Sequence, residues 1–316
     1  MNTKDPILVA IHCLVYNHAP YLRDCFEGFV KQKTEFRFVA VVHDDCSTDG
    51  SADIINEYVE KYPEIFFPIY EEENQYQKCG GYDGLLRVMD DAMAVLNPKY
   101  VAICEGDDFW TDPLKLQKQV IFMESHPDFS MCCHGATVLN ETDREVDCKC
   151  EEMTTREYFY SDAFPQWQIP TASILYRYKP VKDFSIKCET DFVARDVVLI
   201  LRCMSVGRVW GMEEHMSVYR MTPTGATSHV NTMGDKLRLC KHYEALKKNF
   251  PGADKSYCDR YIAMVHYTAF RQSGVFFNRI RSLFVAVKHC PRYVLRKVFR
   301  ISAKPRTDLF YKTYGC

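Results

Sequence analysis

Residues 100–108, YVAICEGDD, pass directly from an apolar run into a cluster of acids. A short apolar run bounded by polar residues is typical of a strand buried on both faces. The pattern occurs twice earlier, where Ile7–Val15 runs into YNHAP and Phe36–His43 runs into DDCSTDG. Helical patterns separate the runs. The sequence therefore predicts an α/β fold, with a mostly parallel central sheet flanked by helices.

The polar segments after these strands are the expected ligand site, because ligands bind beyond the carboxyl ends of strands in open parallel sheets. Two segments carry paired acids, Asp44-Asp45 and Asp107-Asp108. Adjacent carboxylates repel each other unless a cation or hydrogen-bond donors offset their charge. A divalent cation that bridges diphosphate oxygens is one solution, and solvated turn residues or helix caps are the other. Two such pairs at neighbouring strand ends favour the cation.

The composition excludes several other classes of protein. A formal net charge of -2 gives no indication of nucleic-acid binding. The apolar run Ile7–Val15 is too short for a signal peptide, and no apolar stretch reaches the roughly 18 residues of a membrane span. Fifteen cysteines without a secretory signal or a CxxC pair indicate reduced thiols, so we expect a cytoplasmic protein.

Charge is divided unevenly along the chain. From Arg271 onward there are eleven Lys/Arg and one acid, a formal +10, while the remainder has 29 basic and 41 acidic residues, a formal -12. Apolar residues recur in this tail at helical spacing up to a break at Pro291: Ile280, Leu283, Phe284 and Val287. Such a basic amphipathic helix either lies on an anionic membrane surface or packs its apolar face on the rest of the chain.

Three motifs carry a family resemblance. Tyr16-Asn17 after the first strand, VHDDCSTDG at 42–50 and CEGDDFW at 104–110 resemble, in order and spacing, the family 2 inverting glycosyltransferases. The run EGDDFWTDPLKLQKQ at 105–119 is similar to members that make bacterial cell-surface polysaccharides. The resemblance implies a GT-A fold with a Rossmann-like nucleotide-binding half.

The same resemblance implies a domain organisation. The catalytic domain would comprise residues 1–230, with the nucleotide-sugar half at about 1–110 and the acceptor half at about 111–230. Residues 231–316 would form a helical C-terminal region that ends in the basic tail.

The resemblance also implies the reaction and the roles of the donor-site residues. A sugar would move from a nucleoside-diphosphate sugar, with UDP the family default, to an acceptor hydroxyl with inversion. Tyr16 should lie near the base and Asp45 should accept a hydrogen bond from it. Asp107 should lie near the ribose or diphosphate, and Asp108 should ligate Mn²⁺ or Mg²⁺.

Inversion requires a general base on the face opposite the leaving diphosphate. In the family this base is an aspartate at the start of a late helix, which matches the segment TDFVARDVVL at 190–199. Asp196 fits best because an apolar helical stretch follows it directly. Arg195 before it departs from the family pattern, so Asp191 and Glu189 stay as alternatives.

Further contacts are expected around this core of the site. Arg220, at the end of SVYR, could bind the diphosphate or form a structural ion pair. His229, in a following loop, could contact metal or phosphate. Trp110 could stack on a sugar or pack in the core, and the hydroxyls of Thr171 and Ser173 are candidate sugar or acceptor contacts.

Two other functions stay open. A non-catalytic nucleotide- or sugar-binding module would need no base. A nucleotidyltransferase is disfavoured because YNHAP at 16–20 lacks the glycine and lysine of a triphosphate-binding loop. For the transferase, the expected acceptor is a saccharide or lipid-linked saccharide. The expected location is the cytoplasm, with peripheral contact at the inner face of the membrane if the tail binds lipid.

Overall fold

The computed structural model describes residues 5–142, 149–165, 168–186, 192–223 and 232–298. Strands and helices alternate through the first half, as the sequence predicts. They are β1 (Val9–Val15), α1 (Leu22–Val30), β2 (Phe38–Asp44), α2 (Ser51–Lys61), β3 (Phe66–Tyr70), α3 (Gln75–Cys79), α4 (Asp83–Leu96), β4 (Tyr100–Ile103), β5 (Phe109–Trp110), α5 (Lys115–Ser125) and β6 (Phe129–Asn140).

The second half adds shorter strands and then helices. It comprises β7 (Arg156–Tyr158), α6 (Tyr160–Ala163), β8 (Leu175–Arg177), α7 (Tyr178–Lys182), α8 (Arg195–Val206), β9 (Arg208–Met221), α9 (Met233–Asn249), α10 (Lys255–Gln272), α11 (Phe276–His289) and α12 (Pro291–Val298). Within the described ranges, no helix is long and apolar enough to cross a bilayer.

All these strands join one sheet in the order β3-β2-β1-β4-β8-β6-β9-β5, with β7 paired to β9. The four strands from β3 to β4 are parallel, which confirms the predicted parallel part of the sheet. Beyond β4 the sheet is mixed, because β8 runs antiparallel to both β4 and β6. The parallel register brings the carboxyl ends of β1, β2 and β4 to the same edge of the sheet.

The polar and aromatic sequence from about 140 to 230 predicts irregular structure. The described part of this region is more regular, because β9 pairs with β6 along nearly its whole length. Three exposed polar residues at the centre of β9, Glu213 to His215, interrupt the apolar pattern and hide the strand from inspection of the sequence.

Two apolar layers enclose the parallel half. Helices α1, α2 and α5 pack on one face of the sheet through residues such as Phe26, Ile55 and Leu116. Helix α4 covers the other face with Met89 and Met93. A third cluster joins α8 to α9 and α10, so these C-terminal helices share a core with the helix that carries Asp196. The division near residue 230 stays a prediction.

Candidate active site

Hydrogen bonds hold together the loops that follow β1 and β2. The backbone N–H of Asn17 donates to Ser47 Oγ at 2.9 Å, and the N–H of Thr48 donates to Asn17 Oδ1 at 2.8 Å. Asn17 and Cys46 adopt left-handed φ values of 55° and 62°, which turn both loops sharply. The Tyr16 side chain is left 41% exposed at the rim of this edge, where a flat ligand can reach it.

The first acidic pair serves the protein's own backbone. The Asp45 carboxylate is buried and accepts hydrogen bonds from the N–H groups of Gln75 at 2.6 Å and Tyr76 at 3.1 Å, in the first turn of α3. Asp44 is also buried, and burial raises the pKa of its carboxyl group. Asp45 therefore anchors α3, which the sequence did not indicate. Its contact with a nucleotide base stays a prediction.

The second acidic pair lies in a cluster with excess negative charge. Asp108 is buried, and one of its oxygens accepts the backbone N–H of Arg220 at 2.8 Å. Burial and the neighbouring Asp107 raise the pKa of Asp108 well above its usual range. Burial and the charges of Asp107 and Asp196 raise the pKa of Glu105 to about 8. The three acids after β4 thus lack full compensation for their charge.

A glycine allows this cluster to approach the loop after β1. A Cβ atom on Gly106 would lie 2.8 Å from His18 Nδ1 and 3.0 Å from Leu22 Cδ2, closer than such contacts tolerate. Without that Cβ, His18 Nε2 comes within 3.9 Å of Asp107 Oδ2. The loop after β1 thus brings an imidazole beside Asp107.

Asp196 lies in the first turn of α8 and faces the same cluster. Its charge contributes to the raised pKa of Glu105 and to the raised pKa of Tyr82, whose main cause is burial. Tyr82 comes from the segment between α3 and α4. Residues separated by more than one hundred positions thus meet at the edge of the sheet. The role of Asp196 as the base stays a prediction.

Arg195, which departs from the family pattern, has a clear structural role. Its guanidinium forms an ion pair with Asp83, the first residue of α4, and lies over the ring of Phe192. The Arg195 side chain is largely buried, and burial lowers its pKa to about 10. The pair ties the start of α8, and with it Asp196, to the start of α4.

Two predicted sugar contacts are corrected. The Trp110 ring is buried in the core, where its Nε1 donates to the carbonyl of Ala172 at 2.9 Å and Lys115 Nζ lies 4.0 Å from the ring centroid. Ser173 is fully buried and its hydroxyl donates to the carbonyl of Pro170 at 2.6 Å. Neither side chain has a face left for a sugar. Thr171 is partly exposed, so its contact stays a prediction.

Arg220 forms a structural ion pair, the second of the two roles expected from the sequence. Its guanidinium is buried between the rings of Tyr21 and Phe109, at 4.8 and 5.2 Å from their centroids, and bonds Asp24 Oδ2 at 2.8 Å. The prediction of a diphosphate contact is not supported, because the side chain is already paired and buried. Its backbone N–H instead positions Asp108. Three other candidates, Glu189, Asp191 and His229, lie outside the described residues.

The acids after β4 supply too few ligands to hold a cation alone, so a bound ligand would have to complete its coordination. No group of three or more His, Cys, Asp or Glu side chains arranged for a metal occurs in the described part of the chain. Mg²⁺ is often held by one or two carboxylates, with phosphate oxygens and water completing its coordination. Asp107 and Asp108 fit that pattern, since they supply oxygen ligands and uncompensated negative charge.

Comparison with known proteins identifies the family. Residues 11–182, more than half of the chain, match the family described as Glycosyl transferase family 2. The chain belongs to glycosyl transferase family 2. Solved structures to which the chain is similar share its GT-A fold. TarS from S. aureus, in complex with UDP-GlcNAc, superposes with a TM-score of 0.61 at 15% identity, over 90% of this chain and 81% of TarS.

Two further proteins are similar to this chain. The mannosyltransferase PcManGT from Pyrobaculum calidifontis, in complex with GDP-Man and Mn²⁺, gives a TM-score of 0.54 at 14% identity, covering 96% of this chain and 78% of that one. An uncharacterised protein of Mycobacterium tuberculosis is 34% identical over 213 residues, 67% of this chain and 58% of the relative. This family 2 chain therefore aligns with less than two thirds of that relative's length.

A relative with a proposed biosynthetic role is also similar to the chain. TuaG of Bacillus subtilis, a proposed teichuronic acid biosynthesis glycosyltransferase, is 26% identical over 224 residues, 70% of this chain and 82% of TuaG.

Sequence reasoning did not single out three residues that lie near these acids: His18, Tyr82 and Glu105. Glu105 stands inside the quoted motif, so its position was a usable signal. His18 and Tyr82 gain their place only from the approach of loops that are distant in sequence.

Proposed function

We propose that this family 2 chain is an inverting glycosyltransferase that moves a sugar from UDP-sugar to an acceptor hydroxyl. One observation carries the proposal. The charge of the Asp196 carboxylate acts on Glu105, which follows β4, so a candidate base and a candidate diphosphate site lie at the same edge of the sheet. A module that only bound nucleotide would not need Asp196 there.

The donor would enter over the carboxyl ends of β1, β2 and β4. The exposed ring of Tyr16 offers a surface for the base. Asp45 would meet the base with the oxygen lone pairs that the α3 backbone leaves unused. The capture of UDP-GlcNAc by TarS on the same fold supports a uridine donor.

Asp108, with Asp107 beside it, would hold Mn²⁺ or Mg²⁺. When bound, such a cation neutralises charge on the leaving diphosphate. The excess negative charge of the cluster supports this assignment, as does the Mn²⁺ of PcManGT. The backbone N–H of Arg220 fixes one Asp108 oxygen, so the carboxylate is held in one orientation for its ligand.

Asp196 would act as the general base. As the acceptor oxygen bonds to the anomeric carbon, its proton passes to the Asp196 carboxylate. The bond from that carbon to the diphosphate oxygen breaks on the opposite face, and UDP leaves. The ion pair between Arg195 and Asp83 would hold α8 in place during this step.

The acceptor would be a saccharide or lipid-linked saccharide of a bacterial cell-surface polysaccharide, made on the cytoplasmic side. The proposed role of TuaG supports this class. The domain division would follow the family pattern, with residues 1–230 forming the catalytic domain.

Thermal unfolding with UDP, dTDP, GDP and CMP, with and without Mn²⁺, tests the donor site. We expect UDP with Mn²⁺ to raise the melting temperature, since a ligand of the native state stabilises it by mass action. Asp108→Asn keeps an oxygen that can accept the Arg220 N–H. This variant should lose the Mn²⁺-dependent part of the rise in melting temperature. Asp91→Asn, on the exposed side of α4, is the matched control. No shift with any nucleotide would contradict the proposal.

Release of UDP from UDP-sugars then separates an enzyme from a binding module. We expect turnover in the wild type and its loss in Asp196→Asn, with the UDP-induced thermal shift retained. Stabilisation by UDP without turnover, across a panel of UDP-sugars and saccharide acceptors, would favour the non-catalytic alternative.

A further inference from the structure

Helix α11 exposes large apolar side chains to solvent. Phe277 and Phe284 are 81% and 71% exposed, and Phe276, Ile280 and Val287 are also exposed. Single exposed apolar residues are ordinary on protein surfaces, but a group of five on one helix is not. Leu295 and Val298 add two more on α12. We call these seven residues the apolar face of α11–α12.

The five residues on α11 form one stripe. At about 100° per residue they fall within an arc of roughly 100°. The opposite side of the helix holds the buried Ala286 and the half-buried Ser282 and His289, which face the body of the protein. Because α11 already uses one side for packing, the apolar face is a second, separate surface.

Cations border this face and acids are absent from it. Arg281 and Lys288 lie on α11 beside the stripe, and Arg292 and Arg296 are exposed on α12. No Asp or Glu occurs between Arg271 and Val298. A second copy of this chain, docked through the same face, would bring like charges together, which is unfavourable. An anionic surface is complementary to the cations, and its apolar layer can take up the phenylalanines.

Ion pairs attach α11, which carries this face, to helices α9 and α10. His289 at the end of α11 bonds Glu244 of α9 and Asp259 of α10, at 2.9 and 2.8 Å. Lys247 bonds the same Asp259 at 2.6 Å. These contacts fix α11 to the core that includes α8, so a surface bound by α11 is also placed relative to the catalytic domain.

We infer that the apolar face of α11–α12 lies in the interface of an anionic lipid bilayer. The helices rest on the membrane and do not cross it, since the phenylalanine stripe reaches only the headgroup and upper acyl region. The cations contact lipid phosphates and carboxylates. This inference is independent of the proposed reaction, because lipid binding needs neither donor nor acceptor.

Flotation of the full chain with phosphatidylcholine vesicles, with and without phosphatidylglycerol, tests the inference. We expect binding only to vesicles that contain phosphatidylglycerol, and weaker binding as salt rises. The double variant Phe277→Ser with Phe284→Ser should lower the partition coefficient at least tenfold, because it loses roughly the free energy of burying two apolar side chains. Val95→Ser, which replaces an 82% exposed valine on α4, should leave it unchanged.

A charge variant supplies the second measurement. Arg281→Gln with Lys288→Gln should weaken binding about fivefold for each charge removed. All these positions are exposed, so melting temperatures should match the wild type. A full chain that binds no vesicles would overturn the inference, and so would equal binding by the phenylalanine variant. A concentration-dependent dimer that the phenylalanine variant alone loses, without lipid binding, would assign the face to a second copy.

Discussion

If Asp196 is the base, as we propose, its removal should affect chemistry more than binding. We expect Asp196→Asn to lower kcat by about 10²–10⁴-fold, the usual contribution of a general base, with little change in donor affinity. Steady-state transfer kinetics and nucleotide binding check this. If Asp191→Asn shows that loss and Asp196→Asn does not, the base is Asp191.

Lys115 gives a prediction about pH that is unrelated to catalysis. It is fully buried, its Nζ donates to Gln119 Oε1 at 2.8 Å, and burial lowers its pKa to about 7. In the unfolded chain a lysine has a pKa near 10.4. Between about pH 7 and 10 the unfolded state therefore holds a proton that the native state lacks, and this group makes stability rise with pH.

In Lys115→Met, the free energy of unfolding should increase less between about pH 7 and 10. The contribution of Lys115 to that increase is roughly a few kcal/mol at most. Urea unfolding at a series of pH values from neutral to alkaline measures it. Lys118→Met, in an exposed ion pair one turn away, is the control and should keep the rise. The same slope in Lys115→Met and the wild type would show that Lys115 stays charged in the native protein.

At the scale of elements, the ion pair between Arg195 and Asp83 joins α8 to α4. We expect Arg195→Met and Asp83→Asn each to lower turnover, and the double variant to be little worse than either single variant, because both remove the same contact. The coupling free energy between the two positions, calculated from the turnover of the wild type, the single variants and the double variant, should be about 1–2 kcal/mol. The exposed pair of Arg208 and Asp128 should couple by less than about 1 kcal/mol. Additive effects at positions 195 and 83 would remove the positioning role.

Gly106 controls the approach of two loops, those after β1 and β4. Gly106→Ala should destabilise the protein by about 1–3 kcal/mol, as overpacking does, and weaken donor binding as the loops separate. Unfolding and nucleotide titration measure both effects. Gly274→Ala, with open space around the new methyl group, is the control. A stable Gly106→Ala variant with normal nucleotide affinity would show that the loops adjust without cost.

At the scale of the whole molecule, apolar runs that end in polar loops predicted the parallel half well. When helices separate them, such apolar runs are interpreted only as buried parallel strands. The mixed half was harder, since β9 carries polar residues at its centre and pairs with a strand more than sixty positions away. Asp107, Asp108 and Asp196 came from motifs. The sequence left two roles open for Trp110, because a tryptophan suits a core as well as a sugar, and sequence alone does not show which surface its ring faces.

The acids that follow β4 have a further consequence. Burying mutually repelling carboxylates opposes folding, so the protein keeps this acidic cluster at the expense of stability. We expect Asp108→Asn to melt at a higher temperature than the wild type when neither donor nor divalent cation is present. Scanning calorimetry in chelator measures this, and an unchanged or lower melting temperature would contradict it.

The donor and its cation would then act as folding ligands for this chain. In a cell short of nucleotide sugar, more of the chain would be open to proteases, and its half-life would shorten. The amount of enzyme would thus follow the supply of its own substrate without any dedicated regulator. Pulse-chase measurements with the nucleotide-sugar pool raised or depleted would reveal that dependence.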